Sequence, residues 1–457
     1  MTFKLRDYQN ETIYQIVESM KAGNNAIMVQ QPPRTGKTVI MAEIAKRTTK
    51  NNQRVLFIVH RKEIVDQVKQ TFVEQGVNMD LATIGMVQTL TRRVSKLPKP
   101  AVLLVDEAHH VLAKSYRRIL DNFPNAIKLL FTATPIRMSG EGFEKVADDL
   151  IVGKSVHWLI DHGNLAPIDY YAPKQIDVEK LKIKRTGEFS EESIAKAVKP
   201  KIYGNAVKNY QQLANGKQAI AYAYNVASAE HLADAFNKVG ISAKAVSGKT
   251  PKDERDQIIR DYRDGKIQIV TNAELFTEGL DLPNVDCVIM LRPTQSLSLY
   301  LQFGMRAMNP RKDKTAIIID HVGNVERFGL PTDNRQWTLM GSAKSIRTSR
   351  GETIKSVTVC SECFATFYRT SDVCPYCGAK LIQDKEIEVD EDAKLEKVEK
   401  RKKRVEQLLD DKALMAVADK TPKELTSMAQ LQAYAKLHKY KNGWVYFQAK
   451  SKGLIHG

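Results

Sequence analysis

The octet Gln31-Pro32-Pro33-Arg34-Thr35-Gly36-Lys37-Thr38 follows a short apolar run, Ala26–Val29, and precedes a helical pattern from Val39 to Lys46. Such a strand, loop and helix present backbone N–H groups and a helix N-terminus to phosphate. Lys37 would neutralise β/γ charge and the Thr38 hydroxyl would ligate Mg²⁺, which makes ATP the expected ligand. Further along, the apolar run Val102–Val105 ends in Asp106-Glu107-Ala108-His109. A buried parallel strand ending in two acids sets carboxylates at the sheet edge where ligands bind. Asp106 would hold Mg²⁺, commonly through water, and Glu107 would orient or deprotonate an attacking water. An acidic strand end facing solvent is the plainer reading, and the phosphate loop upstream weighs against it.

A second constellation is built on sulfur. Cys360-x-x-Cys363 and Cys374-x-x-Cys377 are separated by Phe364 to Val373. Two such knuckles supply four thiolates for a structural Zn²⁺ site. Disulfides and a redox Cys-x-x-Cys are the alternatives, and two pairs this close favour zinc. Cys287 lies on an expected strand and reads as a core residue. Phe364, Phe367, Tyr368 and Tyr376 interleave with Arg369 and Lys380, as do Trp444, Tyr446 and Phe447 with Lys439, Lys441 and Lys450. Both clusters fit base stacking; the first equally fits a small hydrophobic core, and the second a pinned terminal hairpin made from residues 393–438.

The elements that must position these groups follow a repeating pattern. Short β-branched runs alternate with amphipathic helical stretches, as in parallel α/β domains. Strands are expected at Ala26–Val29, Val55–His60, Val102–Asp106 and Leu129–Thr132. A second series follows at Ala219–Ala223, Ala243–Val246, Ile267–Thr271, Val288–Leu291 and Ala316–Asp320. Gly163, Pro167, Pro173 and the Lys-rich 180–185 interrupt the pattern. The expected organisation is therefore lobe one (1–155), a linker or insertion (156–200), lobe two (201–341), a zinc module (356–382) and a helical tail (383–457).

In 457 residues, 70 Lys and Arg face 53 Asp and Glu, a net charge of +17. Residues 342–457 hold 22 basic and 16 acidic side chains, so +11 of the surplus stays on residues 1–341. A polyanionic partner, nucleic acid, is the simplest reading, with solubility as the alternative. No apolar run approaches the ~20 residues of a membrane span, and the N-terminus lacks the apolar region of a secretory signal. A cytoplasmic protein without a membrane partner is expected.

With these motifs in order, the chain resembles superfamily 2 helicases of the DEAD/DEAH-box kind. The resemblance implies two tandem RecA-like lobes. Leu5-Arg6-Asp7-Tyr8-Gln9 looks like the element whose Gln recognises adenine, making Gln9, Arg34, Thr35, Gly36, Lys37 and Thr38 the nucleotide-binding set of lobe one. His60-Arg61 and Gln88-Thr89 look like strand-gripping motifs, as does Thr271-Asn272 in lobe two. Thr132-Ala133-Thr134-Pro135 matches the motif that couples hydrolysis to lobe movement, through Thr132 and Thr134. Gly279 and Asp281, in Thr277-Glu278-Gly279-Leu280-Asp281-Leu282-Pro283, and Gln302 would reach the nucleotide from lobe two. The implied catalytic set is Lys37, Asp106, Glu107, His109 and Arg306.

The chain departs from this pattern in three places. Gln31 stands where Gly or Ala is expected, and Arg34 where many members have Gly. The finger motif reads Arg306-Ala307-Met308-Asn309, where the second Arg of the family is Asn. Three explanations compete: Arg306 suffices, Arg34 or Arg311 reaches in instead, or hydrolysis is weak without a partner. A narrower resemblance, carried by Ile317-Ile318-Ile319-Asp320-His321-Val322-Gly323-Asn324 and Tyr440-Lys441-Asn442-Gly443-Trp444, is to a phage and mobile-element group with a zinc-binding tail. It implies phage replication in a bacterial host, DNA (single-stranded or forked) and a protein loading partner. A duplex translocase and an ATP-switched clamp with weak turnover are the alternative activities.

Overall fold

The computed structural model describes residues 4–60, 62–137, 140–173, 178–185, 187–198, 201–273, 282, 284–340, 357–381, 417, 421–438, 440, 442–452 and 454. Residues up to Leu381 form one unit and those from Ile382 onward another.

Lobe one is built on six parallel strands: β1 (Ala26–Gln30), β2 (Val55–Val59), β3 (Ala82–Met86), β4 (Val102–Val105), β5 (Ile127–Thr132) and β6 (Asp149–Val152). Their order across the sheet is β3-β2-β4-β5-β1-β6. β1, β2 and β4 are buried along their whole length, as expected for strands covered on both faces. Helices α1 (Asp7–Lys21), α2 (Lys37–Lys50), α3 (Lys62–Gln75), α4 (Val87–Arg92) and α5 (Lys114–Asn122) connect or flank them. Alternate strand side chains divide into two cores. Ile27, Val29, Phe57 and Leu104 pack with α2 and α3, while Met28, Ile58, Leu103 and Val105 pack with α4 and α5.

The register decides what the sheet can do. Gln30 lies opposite Thr132, and Leu130, Val105, Ile58 and Gly85 lie side by side across neighbouring strands. The chain therefore leaves β1, β2, β3, β4 and β5 at one edge. The phosphate loop, His60, Gln88, Asp106-Glu107 and the Thr132–Thr134 segment all leave from that edge.

Lobe two repeats the plan with β7 (Ile168–Tyr171), β8 (Ala219–Tyr222), β9 (Ala243–Val246), β10 (Ile269–Asn272), β11 (Cys287–Met290) and β12 (Ala316–Asp320). All are parallel, in the order β7-β12-β11-β8-β10-β9. The stretch read as a linker thus contributes β7, which pairs with β12, and Glu188, which accepts from Thr294 Oγ1 and Gln295 N (2.6 and 2.8 Å). α6 (Val156–Asp161) precedes β7, and α7 (Glu191–Ala197), α8 (Lys201–Leu213), α9 (Val226–Asn237), α10 (Lys252–Arg263), α11 (Leu297–Gly304) and α12 (Asn324–Phe328) complete the lobe. The strand read at Ile267–Thr271 runs Ile269–Asn272 instead. Cys287 is buried in this core.

The lobes touch through α1 and the chain after α12. Tyr8 packs into the lobe-two cluster, Arg6 Nη1 donates to Asn164 Oδ1 (3.1 Å), and Phe143 N donates to the Leu339 carbonyl (2.7 Å). A two-stranded ribbon, β13 (Thr358–Val359) with β14 (Thr366–Phe367), follows and docks on the free edge of β7. Tyr171 bridges Ala365, Ala172 N donates to Phe364 O (2.9 Å), and Tyr368 donates to Asp333 (2.5 Å).

In the second unit, helices Met428–Leu437 and Asn442–Ser451 enclose Val417, Leu425, Leu431, Tyr434 and Ala449. Trp444 stacks between Tyr434 and Tyr440 (5.7 and 4.8 Å) as part of this small core, whereas Tyr446 and Phe447 are exposed. Lys439, Lys441 and residues 393–416 of the expected hairpin lie outside the described residues. Among the described residues no helix is long and apolar enough to cross a membrane.

Candidate nucleotide and strand site

Gly36 closes the phosphate loop and caps α2 with φ +77°. A Cβ there would stand 2.7 Å from Gln9 Nε2. Gln9 has little room to move, because its Oε1 accepts from Arg6 N (2.9 Å) and its Nε2 donates to the Thr35 carbonyl (3.0 Å). The Tyr8 hydroxyl donates to the same carbonyl (2.8 Å). The start of α1 is therefore clamped onto the loop. Thr35 is buried, and its hydroxyl donates to Pro32 O (2.7 Å), tightening the turn. Gln31 is buried too; it donates to Thr12 Oγ1 (2.9 Å) and lies against the backbone of Gly153. This substitution is absorbed as a second tie between loop and α1.

Gly36→Ala is expected to lower nucleotide affinity more than tenfold and stability by about 1–2 kcal/mol, the usual cost of left-handed backbone in an L-residue. Titration with a fluorescent ATP analogue and thermal melting test this; unchanged affinity would disprove the clamp.

Lys37 opens α2, and its Nζ lies 3.4 Å from Gln31 O. Thr38 is the second residue of the same helix. Glu107 has φ +50° and takes its amide to Asp106 Oδ1 (3.0 Å). Its Oε2 lies 3.3 Å from His109 Nδ1. Burial pushes the Glu107 carboxyl up, but the hydrogen bond and charge of His109, then Lys37 and His110, outweigh it and hold it at about 2. A carboxylate so firmly ionised is suited to orienting water rather than to early proton abstraction.

His109 Nδ1 also lies 3.4 Å from Thr132 Oγ1, which accepts from Thr134 N (3.1 Å). The acid at the end of β4 is thereby joined to the end of β5. Sequence reasoning missed the other side of this chain. His110 stacks on His60 (4.9 Å between ring centres) and packs on His109 (4.0 Å). Three imidazoles thus connect Glu107 to the edge where Gln88 and Thr89 are exposed. The doubled histidine at 109–110 was the available signal.

From lobe two come Gln302 and Arg306, both buried. Gln302 Nε2 has no hydrogen-bond partner among the described residues, so a donor points into the protein interior beside the finger turn. Arg306 hydrogen-bonds to the Tyr222 hydroxyl, whose ring stacks on Phe303 (3.9 Å). Arg311, one candidate for the missing cation, is paired with Asp286. Gly279, Asp281 and Arg61 lie outside the described residues.

Thr271 and Asn272 were expected to contact nucleic acid and do not reach the surface. Both are completely buried, Thr271 donating to Ala229 O (2.7 Å) and Asn272 to Ala221 O (3.1 Å). Their hydroxyl and amide secure the end of β10 instead, which is what short polar side chains do when buried.

The four cysteine sulfurs lie within 4.8 Å of one another. Cys360 and Cys377, and Cys363 and Cys374, are each 3.7 Å apart. Four thiolates about 2.3 Å from a central zinc would stand ~3.8 Å apart, so the spacing fits a tetrahedral metal site. Each knuckle turns through a left-handed residue, Phe364 (φ +62°) and Gly378 (φ +73°). Of the aromatics once open to two readings, Tyr368 is committed to Asp333 and Phe367 lies 5.8 Å from the half-exposed Tyr376. Arg369 pairs with Asp372 (2.5 Å).

Residues 2–137 match the family model described as "Type III restriction enzyme, res subunit", and residues 202–310 that described as "Helicase conserved C-terminal domain". A 51.5 kDa protein of Lactococcus phage (isolate 7-9) is 40% identical over 389 residues, covering 84% of this chain and 85% of its own. IRC3 of Saccharomyces cerevisiae, a candidate ATP-dependent helicase, is 29% identical over 70% of this chain, which spans about half (51%) of that protein. Among solved structures, the ATP-dependent Type ISP restriction-modification enzyme LlaBIII bound to DNA shares the fold, with a TM-score of 0.52, 16% identity, and coverage of 70% of this chain and 28% of LlaBIII. Two parallel-sheet lobes, a phosphate loop facing a lobe-two arginine, and these likenesses lead to one conclusion: the chain belongs to the superfamily 2 helicases, a family of helicase- and translocase-type ATPases.

Proposed function

We propose that this protein is an ATP-driven DNA helicase that moves along one strand of a single-stranded or forked substrate. The observation that carries this reading is the shared sheet edge of lobe one. The phosphate loop and Asp106-Glu107 leave the same edge as His60 and the exposed Gln88 and Thr89, and the histidine stack connects the two. Thr38 and Asp106, a hydroxyl and a carboxylate, are the hard oxygen ligands Mg²⁺ takes. The bound ion would draw charge from the phosphates. Lys37 and Arg306 then face the γ-phosphoryl group from opposite lobes, Glu107 orients the water, and Gln9 sets α1 against the adenine end. Closure is driven by the higher affinity of the closed lobes for ATP than for product.

DNA is favoured over RNA by the restriction-enzyme likenesses, LlaBIII having been solved on DNA. The phage relative supports work in a bacterial host. Phage replication and a protein loader as partner rest on the sequence resemblance alone. The four cysteines hold a structural Zn²⁺ that fixes the ribbon against β7.

A forked partial duplex is the test. With ATP the parent chain should separate the strands. Lys37→Ala should bind the fork with similar, salt-dependent affinity and leave it paired. If the parent neither separates nor translocates on any nucleic acid, the reading is wrong.

A further inference from the structure

Two of the three positions at which the motifs depart from the family, one in each lobe, meet in space. Arg34 leaves the phosphate loop with φ +68°, a conformation that favours glycine. Its guanidinium crosses the cleft, and Nη2 donates to the carbonyls of Leu282 (3.2 Å) and Arg306 (3.4 Å). From within lobe two, Asn309 Nδ2 approaches the same Leu282 carbonyl (3.5 Å). One main-chain oxygen therefore receives the residue gained by the loop and the residue substituted in the finger turn.

The surroundings explain why the two go together. Arg34 and Arg306 both act on the buried Tyr222 hydroxyl. Lys314, whose ammonium donates to Val285 O (2.8 Å), is pushed down to about 7, first by burial and then by Arg311, Arg34 and Lys217. Asp286 pairs with Arg311 and Lys314, but a further guanidinium at 309 would meet Arg34 at the Leu282 carbonyl, where the two like charges repel. An amide fits beside Arg34 without that repulsion.

We propose that Arg34 is a positioning residue that ties the phosphate loop to the finger turn, holding Arg306 in place from lobe one and taking over the interlobe role that an arginine at 309 would have. The assignment rests on the ATPase reading above, yet its contacts are visible without turnover. A planar guanidinium reaching two carbonyls at once sets the angle of the turn, and Lys, with a single point charge, would not.

The experiment compares Arg34→Gly, Asn309→Arg and the double variant in the full-length protein. Glycine suits the backbone at 34, so Arg34→Gly should melt no lower than the parent, and loss of function would not reflect unfolding. Its kcat for ATP hydrolysis should fall about 10²-fold, the scale on which misplacement of a reacting group is felt. Affinity for a non-hydrolysable ATP analogue should fall by less than kcat does, because Gly36 and Lys37 still hold the phosphates when closure is lost. Asn309→Arg alone should lower kcat, and in the Arg34→Gly background it should restore at least about tenfold, a reciprocal rescue that independent sites would not show. Small-angle X-ray scattering with the analogue supplies a readout free of chemistry: the parent should be compact and Arg34→Gly expanded. If the parent shows no hydrolysis but Arg34→Gly expands, the ATPase reading fails and the tie stands. A kcat within twofold of the parent, no rescue by Asn309→Arg, or equal scattering profiles would overturn the tie.

Discussion

Replacing Glu107 with Gln is expected to lower kcat for ATP hydrolysis by about 10²–10⁴-fold, the range a positioned acid–base group contributes, while nucleotide still binds. The substitution keeps the shape at the end of β4 and removes the charge that faces His109 and Lys37. ATP affinity should therefore hold or rise slightly, and nucleic acid should remain bound in the presence of ATP. Hydrolysis at parental rate would remove Glu107 from the mechanism. The pH dependence carries the same information. With His109, Lys37 and His110 holding the group at about 2 against burial, Glu107 stays ionised across the working range. An acid limb of kcat above about pH 4 must then come from another group. For stability the sign is that of a depressed acid. The contribution of this charge is present above the ordinary carboxyl value of 4.5, and it is lost as pH falls toward about 2.

The second large effect concerns the cysteines. The ribbon has two short strands and a small cluster of Cys360, Cys374 and Leu381, too little core to fold unaided. Structural zinc supplies about 10–16 kcal/mol in comparable small modules, which is effectively their folding energy. One zinc per chain is expected by metal analysis. Cys374→Ser, or removal by a strong chelator, should release it and make residues 357–381 sensitive to protease. The bridge to Tyr171 and the Tyr368–Asp333 bond should fail with it, exposing the edge of β7. The lobes should still melt cooperatively and bind ATP, because of the ribbon only Val357 and Val359 pack against the lobe-two core, at its margin. A metal-free chain with a protected ribbon would contradict the assignment.

What could be read from the residues divides along physical lines. Interior strands such as Val55–Val59 and Ala316–Asp320 are continuous apolar runs, the second closed by its final Asp, and these were legible. Within the lobes, the three strands not anticipated, β3, β6 and β7, all lie at sheet edges. An edge strand is covered on fewer sides and tolerates Thr83, Gly85, Asp149 or Asp169, so no apolar run marks it. The phosphate loop, the acids of β4 and the cysteine knuckles are local in sequence and were legible for that reason. The burial of Thr271 and Asn272, the stacking of His60 on His110, and the convergence of Arg34 and Asn309 on Leu282 depend on how distant elements pack. No local pattern encodes them.

The most direct test of the account is steady-state ATP hydrolysis by the parent chain, titrated with single-stranded, duplex and forked DNA and with RNA. Hydrolysis should rise with single-stranded or forked DNA and be lost in Lys37→Ala and Glu107→Gln. Hydrolysis indifferent to every nucleic acid, or equal in the parent and both variants, would contradict it.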